Sequence, residues 1–98
     1  MSGDALSIAP DTYSLVLEND RVRVLEVRTP PGGMSEMHSH PDTVVISVTG
    51  PTHRFSHPGD DPLEMDIPDA SAVYMDTVEH SVENVGHGAG HGFIIELK

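Results

Sequence analysis

Gly32-Gly33-Met34-Ser35-Glu36-Met37-His38-Ser39-His40-Pro41, continuing as Asp42-Thr43-Val44-Val45-Ile46-Ser47-Val48-Thr49-Gly50, is the stretch around which this 98-residue chain is organised. In an extended strand, residues two apart share a face, so His38 and His40 present two imidazoles side by side while Ser39 points away. A second run alternates cleanly, with Val78, His80, Val82 and Asn84 on one face and Glu79, Ser81 and Glu83 on the other. The apolar face is the buried one, which turns His80 inward. Three imidazoles from two strands then converge in one small interior.

The chain on either side of these runs is punctuated by short turns. Residues 1–11 contain Gly3 and Pro10 and no sustained period, and read as an N-terminal arm, partly disordered or held at a subunit interface. Residues 12–98 read as a single domain. Tyr13 to Glu18 and Arg21 to Thr29 flank Asn19-Asp20 as a hairpin. Val22 and Val24 share one face of the second strand and Leu25 and Val27 the other, so either a bulge switches the phase or both faces are covered, and a homodimer is one way to cover them. Pro30-Pro31-Gly32-Gly33 is a loop, because two prolines remove two ladder donors. Beyond the histidine strand, Val44, Ile46 and Val48 read as inward, then His53, Phe55 and His57, then Leu63, Met65 and Ile67 after the Pro58-Gly59-Asp60-Asp61 turn. Val73 to Met75 is a short strand, Val78 to Val85 the His80 strand, and Phe93, Ile95 and Leu97 form the inward face of the last. No segment carries an amphipathic helical period. About nine short strands separated by Gly, Pro and Asp turns predict an all-β sandwich or barrel without significant helix.

Five basic against 16 acidic residues give a formal charge of -11, which argues against a nucleic-acid backbone or an anionic membrane surface as partner. With no cysteine there is no disulfide and no thiolate ligand, so any metal must use nitrogen and oxygen donors. The N-terminus has neither the basic nor the apolar region of a signal peptide and no run approaches a membrane span, so a cytoplasmic location is expected.

The histidine spacings resemble the two motifs of the cupin superfamily. Gly32, His38, His40 and Gly50 match the first motif, and His80 and Asn84, followed by Gly86, match the second. The resemblance implies a small jelly-roll β-barrel, the cupin double-stranded β-helix, with His38, His40 and His80 as metal ligands. Two departures stand out. Where the family's glutamate ligand would fall, this chain has Thr43, Val44 and Val45, and with Val44 read as inward the carboxylate is replaced by an isopropyl group. The second motif's proline and glycine correspond to Met75 and Thr77.

Three neutral imidazoles remain, a set similar to the three-histidine iron sites of cupin-type thiol and diketone-cleaving dioxygenases. The cofactor implied is a divalent transition metal, with Fe, Ni, Zn, Cu and Mn all open. Glu36 and Asp42 flank the histidine pair and are candidates for an outer partner of an imidazole or a substitute ligand. Val44, Ile46, His53, Phe55, Met65, Met75, Val82, Phe93 and Ile95 are candidate pocket residues, and Met34 a further inward one. Arg23, Arg28, Arg54 and Tyr74 are the candidate polar anchors for a substrate. His53 and His57 read first as hydrogen-bonded core residues, and His87 and His91 as parts of a glycine-rich loop.

Three functions are compatible with these residues. One is a small metal-binding cupin, a non-haem Fe(II) dioxygenase-like enzyme acting on a small chelating molecule. The others are a non-catalytic small-molecule or metal binding or sensing module, and a metal-independent lyase or isomerase using a histidine as acid or base.

Overall fold

The computed structural model describes residues 3–98. Nine strands follow one short helical turn: α1 (Ala5–Ile8), β1 (Tyr13–Glu18), β2 (Val22–Thr29), β3 (Met34–His40), β4 (Thr43–Thr49), β5 (Thr52–Ser56), β6 (Leu63–Asp66), β7 (Ser71–Met75), β8 (Val78–Asn84) and β9 (Gly90–Leu97). They form a five-stranded sheet in the order β1-β2-β9-β4-β7 and a four-stranded sheet in the order β3-β8-β5-β6. Every named pairing is antiparallel, and β6 and β7 each lie at the end of their sheet.

Residues 3–9 of the expected arm are ordered against the body. Asp4 caps α1 by accepting from the Ser7 amide, Ser39 donates its amide to the Gly3 carbonyl, and Ala5 and Ala9 are buried with Tyr13, Leu25 and Ile94 in the apolar core. This segment therefore seals the outer edge of the strand that carries His38 and His40. Met1 and Ser2 lie outside the described residues.

The two-faced strand β2 runs against β9 without interruption, and the register shift falls instead in β1, between Leu15 and Leu17. Leu25 and Val27 pair with Ile94 and Gly92 facing inward, whereas Val24 lies in a row with Ile95, Val44 and Tyr74 across β2, β9, β4 and β7 on the outward face. Apolar residues on both faces explain why alternation alone misassigns the phase here. In β9 the buried residues are Gly90, Gly92, Ile94 and Glu96, the set opposite to Phe93, Ile95 and Leu97. In β4 they are Thr43 and Ser47, with Val45 on the same face and Val44 and Ile46 on the other. Val44 and Ile95, expected inside, are thus partners on the outside of the sheet.

Two devices hold the end of the fold away from the histidines. Asn84, fully buried, donates from its amide to the Thr29 carbonyl at 2.8 Å and the Gly88 carbonyl at 2.9 Å, and accepts from the Gly86 amide at 3.0 Å. The motif asparagine is thereby a clasp between β2, β8 and the turn into β9. A Cβ on Gly90 would lie 2.2 Å from Thr29 Oγ1, so only glycine leaves room for Thr29 beside His53.

Candidate metal centre

His38 and His80 face each other across the β3–β8 ladder, and His40 follows two residues beyond His38. The ladder places a bulge between Ser35 and His38, where three steps along β3 match two along β8. A bulge reverses the parity of the strand. Ser35 and His38 are both buried as a result, while Met34 and Glu36 are exposed, which overturns the inward reading of Met34 and takes the Glu36 carboxylate off the histidine face. The bulge supplies something else, because the Glu36 carbonyl accepts a hydrogen bond from His38 Nδ1 at 2.6 Å. Glu36 serves through its backbone rather than its carboxylate.

Asp42, the other acidic candidate, accepts from the Thr77 amide at 2.8 Å and the Thr77 hydroxyl at 3.0 Å, and these bonds hold its carboxyl below the usual range. It caps the β7–β8 turn. The carboxylate that does reach the cluster is Glu96, 3% exposed, whose Oε2 accepts from His40 Nδ1 at 2.9 Å. Its Oε1 accepts from Arg23 Nε at 2.7 Å, and Arg23 in turn is paired with Asp4. Arg23, a candidate substrate anchor, is consumed in this chain. Arg28 is paired with Glu26, and Arg54 with Glu64 and Glu83.

With Nδ1 of His38 and His40 donating to acceptors that carry no proton, both rings present Nε2 as a lone pair. The three side chains' ligand atoms lie within 4.8 Å of one another, and His38, His40 and His80 are all buried. The Nε2 atoms of His40 and His80 have no hydrogen-bond partner. A buried polar atom left unpaired is costly, so two such atoms converging in one place fit a metal ion as the missing partner. All-nitrogen donors of this kind suit zinc, copper, iron and nickel. The outer partners of His38 and His40 are those that orient metal-binding imidazoles in general.

Two further side chains complete the centre, and neither stands out in the sequence. Tyr13 donates its hydroxyl to His38 Nε2 at 3.0 Å, its ring packs edge-on against His38 and His40, and burial pushes its phenol up, so it stays protonated. Thr43 is fully buried with an unpartnered Oγ1. It sits opposite Glu96 in the β4–β9 ladder. The place expected to hold an isopropyl group therefore holds a hydroxyl, because the break at Pro41–Asp42 restarts β4 with Thr43 rather than Val44 facing in.

Burial, with the neighbouring His38, His40 and His57, pulls His80 down to about 3 from an ordinary value of 6.5, and burial also lowers His38. At neutral pH the His80 and His38 rings are therefore uncharged and ready to bind a cation. In the metal-free protein, acid must then act on stability. Below pH 6.5 the unfolded chain takes up a proton at His80 and the folded one does not, so stability is complete above that pH and is lost as the pH falls towards 3. The loss approaches about 1.4 kcal/mol per pH unit for this group. Urea unfolding of metal-free protein at pH 7 and pH 5, beside His80→Gln, measures it; an equal pH dependence in the two proteins contradicts the assignment.

The centre opens onto a cavity of about 580 Å³ between the sheets, bordered by Tyr13 and His80 at the metal end. Of the candidate pocket residues, Ile46, His53, Phe55, Met65, Met75, Val82 and Phe93 border it, and Val44 and Ile95 do not. His57 also borders it, with its ring centroid 6.0 Å from that of His80. His91 is paired with Glu26. His53 Nδ1 donates to the Pro51 carbonyl at 2.8 Å and its Nε2 accepts from Thr29 Oγ1 at 2.9 Å, the satisfied core histidine that the sequence suggests.

Two facing antiparallel sheets in jelly-roll order, with a three-histidine cluster at one end of the space between them, define a cupin-type double-stranded β-helix. Solved structures agree. A cupin domain from Bordetella pertussis Tohama I superposes with a TM-score of 0.82 at 26% identity, covering 100% of this chain and 97% of that one. An RmlC-like cupin family protein from Methanocaldococcus jannaschii gives a TM-score of 0.67 at 12% identity over 88% of this chain and 80% of its own. A cupin-2 domain protein from Shewanella frigidimarina gives 0.58 at 16% identity, over 89% and 80%. No family model and no curated protein sequence matches the chain. The protein has the cupin fold, with a three-histidine group able to hold a metal. No helix among the described residues is long and apolar enough to cross a membrane.

Proposed function

We propose that this protein is a mononuclear metalloenzyme of dioxygenase type, holding a divalent metal, Fe(II) foremost, through His38, His40 and His80 and taking a small organic molecule into the adjoining cavity. The observation that carries this reading is the pair of unpartnered, buried Nε2 atoms on His40 and His80, which lie in one three-histidine cluster whose His80 borders the cavity. An ion on three neutral ligands keeps positions open and supplies Lewis acidity and, if iron, dioxygen activation.

The remaining roles belong to the chain. Glu96 holds His40 in one tautomer and is itself held by Arg23. The Glu36 carbonyl does the same for His38. Tyr13, freed from His38 Nε2 when that atom takes a metal, keeps a protonated hydroxyl at the boundary between centre and cavity, where it can donate to an oxygen of the bound molecule. The α1 segment covers the outer edge of β3, the strand that carries His38 and His40.

The large cavity also favours a second reading, a non-catalytic module that binds the same kind of molecule. Oxygen uptake by Fe(II)-loaded protein separates the two. Consumption that depends on an added diketone and disappears in His80→Ala supports the enzyme, whereas metal-loaded protein that binds such a molecule without consuming oxygen supports the binding module.

A further inference from the structure

The outer face of a sheet in a two-layer sandwich meets water and is ordinarily polar. The five-stranded sheet departs from this. One row crosses all five strands on the outward side, with Leu17 of β1, Val24 of β2, Ile95 of β9, Val44 of β4 and Tyr74 of β7, and every member is apolar or aromatic. Val22 and Leu97, paired two residues further along, extend it. Leu17, Leu97 and Tyr74 are 48%, 38% and 54% exposed. None of these residues belongs to the interior core, and apart from Tyr74 none borders the cavity. Their apolar surface serves neither. A contiguous apolar patch of this kind marks a site of association.

The charged groups around this face come mostly as closed pairs. Glu26, on the same side of the sheet, is paired with Arg28 and His91, and Lys98 is paired with Glu18 beside Leu17 and Leu97. Asp42 lies near Tyr74 at one corner. The result is an apolar centre within a polar rim, the usual anatomy of a protein interface. A chain with a net charge of -11 repels a second copy of itself, but on a face whose charges are largely paired that repulsion is small.

The shape of the patch selects a second copy as what covers it. A two-fold contact needs one patch that matches itself. Ile95 lies on β9, the middle strand of the sheet, with Leu17 and Val24 on one side of it and Val44 and Tyr74 on the other. Flat sheet faces pack on one another in alignment, about 10 Å apart. The area suffices as well. Five strands about 4.8 Å apart, each presenting about 20 Å of its length, make a face of about 500 Å² in projection, so two copies cover about 1,000 Å², the size a specific interface needs.

We propose that the outward face of the five-stranded sheet is a homodimer interface, in which two copies pack sheet on sheet about a two-fold axis at Ile95. The contact leaves the four-stranded sheet, with β3 and β8, on the outside of the pair. It therefore holds whether or not the histidines bind a metal.

Sedimentation velocity of the full-length protein over micromolar concentrations tests it. The wild type is expected to sediment as a dimer. Ile95→Glu brings two carboxylates together at the axis and should weaken association on the order of 100-fold, giving a monomer. Leu17→Glu, at an exposed position on an edge strand, should weaken it about tenfold by placing a charge at the end of the row, and decides the matter should Ile95→Glu not fold. Met34→Glu, exposed on β3 of the other sheet, is the control and should leave the dimer intact. A monomeric wild type overturns the proposal and leaves the face to a different protein. A dimer that either folded variant leaves intact overturns it too, as does one that Met34→Glu breaks equally.

Discussion

Glu96→Gln is expected to destabilise the metal-free protein by about 3–5 kcal/mol, the usual cost of breaking a buried ion pair from one side. It should also weaken metal binding by about 10- to 100-fold, as loss of an outer partner of a ligating imidazole does. The carboxylate accepts from Arg23 Nε through one oxygen and from His40 Nδ1 through the other. A carboxamide has only one acceptor, so whichever way it turns, an N–H faces an N–H. If the amide nitrogen meets His40, that ring is free to flip or change tautomer and its Nε2 is no longer reserved for the metal. If it meets Arg23, a guanidinium whose side chain is 16% exposed loses its inner partner. Urea unfolding reads the first effect and a chelator competition titration with zinc the second. Wild-type values in both would show that Glu96 is a bystander.

Gly50→Ala should be nearly as damaging, for a reason of space rather than charge. A Cβ at this position would stand 1.8 Å from the Ile67 carbonyl oxygen and 2.6 Å from its carbon. Both are backbone atoms, so no rotamer relieves the clash. The same short loop is fastened by the Gly50 amide donating to Asp69 at 2.7 Å. Separating these backbones forces the end of β4 away from the segment after β6, at a cost of about 1–3 kcal/mol or more. For a domain of this size each kcal/mol lowers the thermal midpoint by about 4–8 °C. Gly88→Ala, where an added Cβ meets nothing within 4 Å, is the control and should stay within about 0.5 kcal/mol of wild type. Equal midpoints for the two variants would refute the steric account of this motif glycine.

The legibility of the chain follows from where local pattern and tertiary context agree. Eight of the nine strands are visible as apolar runs between Gly, Pro and Asp turns and β3 by its spaced histidines, and β8 even shows its correct face, because its large apolar residues, Val78 and Val82, share that face with His80 and Asn84. Phase fails where something outside the strand sets it. In β3 a bulge moves Glu36 and Met34 to the surface, and a bulge leaves no mark in a sequence of alternating polar residues. In β4 and β9 the outward face is the more apolar of the two, since Gly90 and Gly92 leave the inner face almost bare to make room for Thr29, His53 and the β4 backbone. Counting hydrophobic residues therefore selects Phe93 and Ile95 over Ile94 and hides Glu96 on the same face. A lone acid in the final strand, in phase with two glycines, was the available signal. Tyr13 and Thr43 were beyond reach, because their roles arise only when β1 and β4 are folded across the β3 histidines.

The centre is consequently richer than a three-histidine motif. It comprises the imidazoles, a carboxylate and a carbonyl that set their tautomers, the Tyr13 hydroxyl at the border of the cavity, and the buried Thr43 hydroxyl opposite Glu96. The direct test is the metal content, by mass spectrometry, of protein produced without a histidine tag and offered Fe(II), Zn(II), Ni(II), Cu(II) and Mn(II) in turn, beside His80→Ala. One equivalent of at least one metal in the wild type, lost in the variant, is the predicted result. Wild-type protein that retains none of the five would contradict the account.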